Sequence, residues 1–116
     1  MKADATRFLP LGPAMLQVLL ALAGEELHGY GIMQEVRRQS DGCFKLGPGT
    51  LYDNLQRLLD QGLVQEVARS DREESRRRYY RLTSLGRAVL AAEISRLEGV
   101  VRDGRTRLDG ARPRRA

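Results

Sequence analysis

Hydrophobic positions along the chain recur first at helical spacing, then in alternation, then at helical spacing again. Met15, Leu16, Leu19, Leu20 and Leu22 follow Gly12-Pro13 and stop at Gly24. A helix so apolar and so short is buried on most of its surface, with Pro13 near its first position. Glu25 to His28 reads as a tight turn. Gly29–Gln39 reads as a second helix, with Tyr30, Ile32, Met33 and Val36 facing inward. Glu35, Arg37, Arg38 and Gln39 face water or a backbone. Ser40-Asp41-Gly42 ends this helix, and residues 43–47 form a short connector.

In the next stretch Leu51, Leu55, Leu58 and Leu59 return at helical spacing, Pro48 suits the first helical position, and Gly62 stops the helix. Thr50, Asp53, Asn54, Arg57 and Gln61 lie mostly off the apolar stripe. A DNA recognition helix needs one face bedded in a core and another carrying hydrogen-bonding groups. Any amphipathic surface helix has the same two faces, so the stretch alone decides nothing. After Gly62 the period changes to rough alternation over residues 63–69, as in a half-exposed strand. Residues 70–75 are polar and charged and suit a hairpin tip. Residues 76–82 (RRRYYRL) follow, with Tyr79, Tyr80 and Leu82 giving strand character. Two strands alone are unstable, so they must pack on the helices. Three helices followed by a strand pair is the order of a winged helix-turn-helix.

Thr83 or Ser84 caps a last helix that runs from near Leu85 to about Leu108. Leu85, Ala88, Val89, Ala92, Leu97 and Val100 or Val101 give it a partial apolar stripe, longer than the small core needs. Such a helix suits a dimerisation arm. Gly99 and Gly104 weaken its far end by about 1 kcal/mol each relative to Ala. The expected organisation is a flexible leader (1–12), a mainly helical winged helix-turn-helix with a small β-hairpin (13–83), a C-terminal dimerisation helix (84–108) and a basic disordered tail (109–116).

Charge sharpens this picture. Residues 1–68 carry 6 basic and 8 acidic groups, net −2, whereas residues 69–116 carry 14 and 7, net +7. Nearly all the cations are arginines, whose forked guanidinium bonds phosphates and base edges bidentately, although acidic proteins and lipid headgroups also attract them. At 116 residues there is room for one domain with a modest core. The one cysteine, Cys43, permits no internal disulfide and suits a reducing compartment. No signal-peptide pattern is present, and the apolar run of residues 18–23 is far short of the ~20 residues of a membrane span. These features predict a cytoplasmic protein that does not engage a membrane. His28, the only histidine, lacks partners at metal-ligand spacing and reads as a turn or helix-cap residue. No phosphate loop, carboxylate pair or nucleophile–base set is evident, so neither an enzyme nor a metal or cofactor site is expected.

Several motifs occur in register: Leu19–Gly24 leading into His28-Gly29-Tyr30-Gly31-Ile32, then Gly49-Thr50-Leu51-Tyr52, Leu55, Leu58, Gly62-Leu63 and Tyr80-x-Leu82-Thr83-x-x-Gly86. Over roughly residues 16–86 the chain resembles the PadR-like family of bacterial transcriptional regulators, in the small subgroup with one C-terminal helix. The resemblance implies a homodimeric winged helix-turn-helix, usually a repressor, that binds a palindromic operator and dimerises through its last helix. It departs at Asp53, where relatives commonly carry proline. It departs also in lacking tryptophan, with which drug-sensing relatives stack planar compounds; this argues against that stacking mode and leaves a small-molecule effector of unknown identity open. The candidate DNA contacts are Thr50, Tyr52, Asn54 and Arg57 on the third helix and Arg72, Arg76, Arg77 and Arg78 on the wing. Their plain alternatives are a solvated helix face and charge balance with Asp71, Glu73 and Glu74. The candidate dimer contacts are Leu85, Ala88, Val89, Ala92, Leu97 and Val101. A protein-interaction module with weak or no DNA binding is the competing function, motivated by Asp53 and the acidic first half.

Overall fold

The computed structural model describes residues 5–68 and 78–110. Helix α1 (Pro13–Gly24) leads to a short strand β1 (Leu27–His28) and helix α2 (Gly29–Gln39). Helix α3 (Pro48–Asp60), strands β2 (Val64–Val67) and β3 (Tyr79–Leu82), and helix α4 (Ser84–Leu108) complete the order. The architecture is mainly helical with a small antiparallel sheet, a winged helix-turn-helix carrying a long C-terminal helix, as the leucine spacing predicts.

Helix α1 is the hub. Its apolar surface packs against α2, α3, α4 and β3 together, burying Val18, Leu19, Ala21 and Leu22. The amphipathic helices supply the other walls: Ile32 and Val36 from α2, and Leu51, Leu55 and Leu58 from α3. Tyr80 and Leu82, two apart on β3, close the core from the sheet side.

Three local expectations need correction. Glu25 to His28 is not simply a turn, because β1 pairs antiparallel with β3, Leu27 opposite Tyr80 and His28 opposite Tyr79. The sheet therefore has three strands in the order β1-β3-β2. Two residues are too few for alternation to show, and their pairing partner lies far along the chain. Tyr30 is 60% exposed rather than inward. It stands two positions from Ile32, about 200° around the helix, so the face that buries Ile32 turns it to solvent. Gln39 faces the protein: its amide nitrogen donates to the Gln17 backbone carbonyl at 2.9 Å and to Gln17 Oε1 at 2.8 Å, tying α2 to α1. The strands are also shorter than the alternation suggests, and residues 70–75, expected at the hairpin tip, lie outside the described residues.

The joint between α3 and α4 is tight. Gly62 has φ +76°, the left-handed conformation that favours glycine, and turns the chain out of α3. Leu63 N–H donates to the Leu58 carbonyl at 2.9 Å and Gly62 N–H to that of Leu59 at 3.1 Å, which satisfies the helix's last carbonyls. Thr83 then bridges the two helices. Its hydroxyl donates to the Gly62 carbonyl at 2.6 Å and accepts from Gly86 N–H at 3.0 Å, while its own N–H donates to the Leu63 carbonyl at 3.1 Å. Gly86 is buried there, and a Cβ on it would lie 2.0 Å from the Leu63 carbonyl oxygen.

The first half of α4 belongs to the core through Gly86, Val89, Leu90 and Glu93. Glu93 is a buried carboxylate, 1% exposed. It accepts two hydrogen bonds from Arg96, at 2.6 and 3.0 Å, and a third from Leu11 N–H at 3.0 Å. Those bonds from Arg96 hold its carboxyl below the usual carboxylate range against the opposing effect of burial, with Leu11 N–H assisting. Within the segment expected as a leader, Ala5 is buried and Phe8, Leu9 and Leu11 pack against the core.

Three outcomes follow for stability. Gly86→Ala forces a methyl into a backbone carbonyl and should destabilise the fold by about 1–3 kcal/mol in urea unfolding. Gly99→Ala, whose Cβ meets only the Arg102 side chain at 3.5 Å, should stabilise it by about 0.5–1 kcal/mol. For Glu93, a depressed folded-state value means its contribution is complete above the unfolded value and is lost as pH falls through the folded one. Unfolding midpoints of the wild type should therefore fall below about pH 4.5, and Glu93→Gln should flatten that part of the profile.

Candidate nucleic-acid interface

Helix α3 carries the candidate reading surface. Leu51, Leu55 and Leu58 occupy its buried face, which turns Thr50, Asp53 and Arg57 outward together at i, i+3 and i+7. Thr50, Asp53 and Arg57 are exposed. Asn54 is half-buried at the edge of this face, its amide nitrogen donating to the Thr50 carbonyl at 2.8 Å. One turn on, Gln56 donates to Asp60 at 3.0 Å. The helix starts at Pro48 with no side-chain cap. Gly49 and Thr50 have no carbonyl four residues back within the helix, so their N–H groups face outward from its first turn.

Tyr52 sits on a different side of α3 and is 50% exposed. Its ring is wedged at the start of α2, where a Cβ on Gly29 would lie 2.1 Å from the Tyr52 hydroxyl. It also lies within electrostatic reach of Tyr80 on β3. Burial pushes the Tyr80 hydroxyl up, with Glu66 and Tyr52 adding to the effect and Arg78 opposing it. Tyr52 thus stands between the first turn of α2 and the base of the wing, while half its surface remains available to a ligand.

Of the wing arginines, Arg78 is described. It is exposed and 3.9 Å from Glu66 on the neighbouring strand, a loose surface pair of little energetic weight. Arg72, Arg76 and Arg77 lie outside the described residues. Arg81 faces the other way, 3.5 Å from Glu26. His28 caps the start of α2 through its backbone, its ring 5.3 Å from that of Tyr79. Among the described residues no group of His, Cys, Asp and Glu could hold a metal ion, and no helix is long and apolar enough to cross a membrane.

The expected dimer contacts divide in two. Val89 is fully buried and Leu85, Ala88 and Ala92 pack against the protomer's own core. Leu97 and Val101 lie on the part of α4 beyond Glu93, where no described residue is buried. Ile94, 41% exposed, joins them and went unnoticed in the sequence. The spacing of Ile94, Leu97, Val101 and Leu108 is the signal for it, since these positions recur at heptad spacing beyond the core stripe.

A model of the transcriptional regulator PadR-like family matches residues 18–92, from the hub helix through the wing into α4. The chain belongs to the PadR-like family. It is 36% identical over 88 residues to the transcriptional regulator Rv3488 of Mycobacterium tuberculosis, covering 76% of this chain and 78% of that one. A PadR family transcription regulator from Clostridium difficile superposes with a TM-score of 0.72 at 25% identity, over 84% of this chain and 99% of that chain. Bacillus subtilis PadR, solved in complex with operator DNA, shares the fold with a TM-score of 0.63 at 21% identity, over 73% of this chain and 48% of that chain. PadR-like proteins are DNA-binding transcriptional regulators and not enzymes.

In this PadR-like chain the contact between Gly29 and Tyr52 is the testable element. Gly29→Ala should push the Tyr52 ring aside and lower stability by about 1–3 kcal/mol. Combining it with Tyr52→Ala should recover part of that loss, read as a non-additive double-mutant cycle in urea unfolding.

Proposed function

We propose that the protein is a homodimeric repressor that reads a two-fold symmetric operator with α3 and grips flanking phosphates with its wing. The observation that carries this reading is the free face of α3, on which Thr50, Asp53 and Arg57 stand exposed beside the base of the wing. Thr50, Tyr52, Asn54 and Arg57 are the proposed base-edge and phosphate contacts, with Arg72, Arg76, Arg77 and Arg78 as proposed backbone contacts. Arg57 bonds a guanine edge bidentately in this reading, and Asp53 accepts from a cytosine amino group. The dimer forms along the free part of α4, with Ile94, Leu97 and Val101 as its seam, while Leu85, Ala88, Val89 and Ala92 serve the protomer's own core. It sets the two reading helices one helical turn apart, roughly 34–36 Å. Occupying the operator excludes polymerase, and any effector works by changing that separation. The operator complex of Bacillus subtilis PadR supports the reading by family likeness.

A protein-interaction module is the competing reading. Asp53 and Asp60 outnumber Arg57 on the exposed face of α3, which favours a basic protein partner over a phosphate backbone.

The two separate in a selection of bound fragments from random duplexes, followed by fluorescence anisotropy. The repressor reading expects a palindromic sequence whose affinity falls with salt at a log–log slope of roughly 4–5, for four to six phosphate contacts. Arg57→Ala should weaken the selected site about 5–150-fold while leaving scrambled DNA nearly unchanged. Ile94→Asp combined with Val101→Asp should yield a monomer by sedimentation, with the selected site lost. Equal affinity for selected and scrambled DNA at every salt concentration would overturn the reading.

A further inference from the structure

Helix α2 and the connector into α3 frame an open groove of about 410 Å³. Its floor is apolar, from Met33 and Leu46, and its rim carries Tyr30, Gln34, Arg37 and Lys45. Arg38 also borders it but is engaged by Glu35 in a forked pair. Tyr30, Gln34, Arg37 and Lys45 are all exposed. We infer that Arg37 and Lys45, with Gln34 and Tyr30 as hydrogen-bonding neighbours, form a phosphate clamp that holds the DNA backbone beside the reading helix. This inference rests on the DNA-binding reading given above and assigns to it a contact surface separate from α3 and the wing.

Three observations lead there. The exposed face of α3 is electrostatically poor, with Asp53 and Asp60 against Arg57, so attraction to a polyanion must come from its flanks. Lys45 stands three residues before Pro48, the first residue of α3, so a duplex that takes up the first turn of α3 passes close to it. In a helix-turn-helix the first helix of the pair crosses the backbone, and here that helix is α2, which carries Arg37. Arg37 and Lys45 come from different elements and meet on one rim. A phosphate contact of this kind positions the duplex without reading its sequence.

The experiment is a salt titration of anisotropy on a fluorescent 30-base-pair duplex of scrambled sequence, repeated on a selected site. Arg37→Ala combined with Lys45→Ala should weaken both duplexes by a similar factor, on the order of 10–30-fold near 0.15 M salt, and lower the salt slope by about 2. Arg37→Lys combined with Lys45→Arg should restore most of the affinity. Arg7→Ala combined with Arg107→Ala changes net charge equally, away from the groove, and should shift affinity less than threefold. Circular dichroism melts confirm that each variant folds, as expected for exposed positions. If the wild type binds with a steep salt slope and the groove variant matches it, the clamp is overturned while the repressor reading stands. Equal losses in the groove and remote variants overturn the clamp in favour of bulk charge. A wild type that binds neither duplex overturns both the clamp and the repressor reading.

Discussion

The structure depends on the joint where Thr83 and Gly86 meet Gly62 and Leu63. At that point the end of the reading helix, the end of the wing and the start of the long helix share one set of backbone hydrogen bonds. The Thr83 hydroxyl donates to one helix and accepts from the other, so it fixes their separation in a way that an apolar contact would not. Gly86 removes the one side chain that would hold α4 off the Leu63 carbonyl. The start of α4 and the C-terminal end of α3 are therefore held in close register. In the proposed dimer that joint would link the partner's position to the duplex's position.

A second constraint acts on the same helix further along. Glu93 is the last buried residue of α4, and its carboxylate gathers Arg96 and the Leu11 amide. A buried carboxylate is costly unless its oxygens are satisfied, and here three donors satisfy them. The outcome is directional: the chain before α1 is tied to α4 at the point where the helix leaves the core. Beyond that point no other described residue covers Val101 or Leu108, which are 51% and 90% exposed. The helix is held firmly at its root, and its outer apolar residues are left to the proposed dimer seam.

The glycines and leucines that made the chain recognisable turn out to be the residues at these close contacts. Leucine spacing placed α1, α3 and the core correctly, because a buried helix face repeats every three or four residues whatever surrounds it. Gly62-Leu63 and Thr83-x-x-Gly86 were visible only as a pattern, and their reason is a carbonyl 2.0 Å from an absent methyl. What stayed hidden was non-local. A two-residue strand has no period to detect, and Leu27 opposite Tyr80 becomes visible only when the chain is folded. Glu93 looks like a solvated acid in the sequence, since nothing nearby in the chain announces Leu11 as its partner. Tyr30 was placed inward by its aromatic character, although its angular position opposite Ile32 argued otherwise. The expected dimer stripe divides for a related reason. Val89 and Val101 stand twelve residues apart, about 120° around the helix, so the core face and the outer apolar stripe are different surfaces.

The separation of these two faces also bears on how affinity and selectivity would divide in the proposed repressor. In the proposed homodimer the seam along α4 would set the distance between the two copies of α3, and that distance would select operators by half-site spacing before any base is read. The α3 face itself is short of positive charge: Asp53 stands among Thr50, Asn54 and Arg57 where relatives tend to carry proline. A carboxylate at that position repels phosphate at every site and is compensated only where a base presents a donor, so it penalises wrong sequences more than it strengthens the right one. In the proposed complex such a helix would discriminate well and bind weakly, and the attraction it lacks is assigned to cations that do not read sequence, on the wing and on the rim between α2 and the connector. Under the proposed repressor reading, selectivity concentrated in an acid-bearing helix and affinity concentrated in its flanks would make occupancy depend on dimer geometry, because a weak reading head holds only when both copies are seated at once.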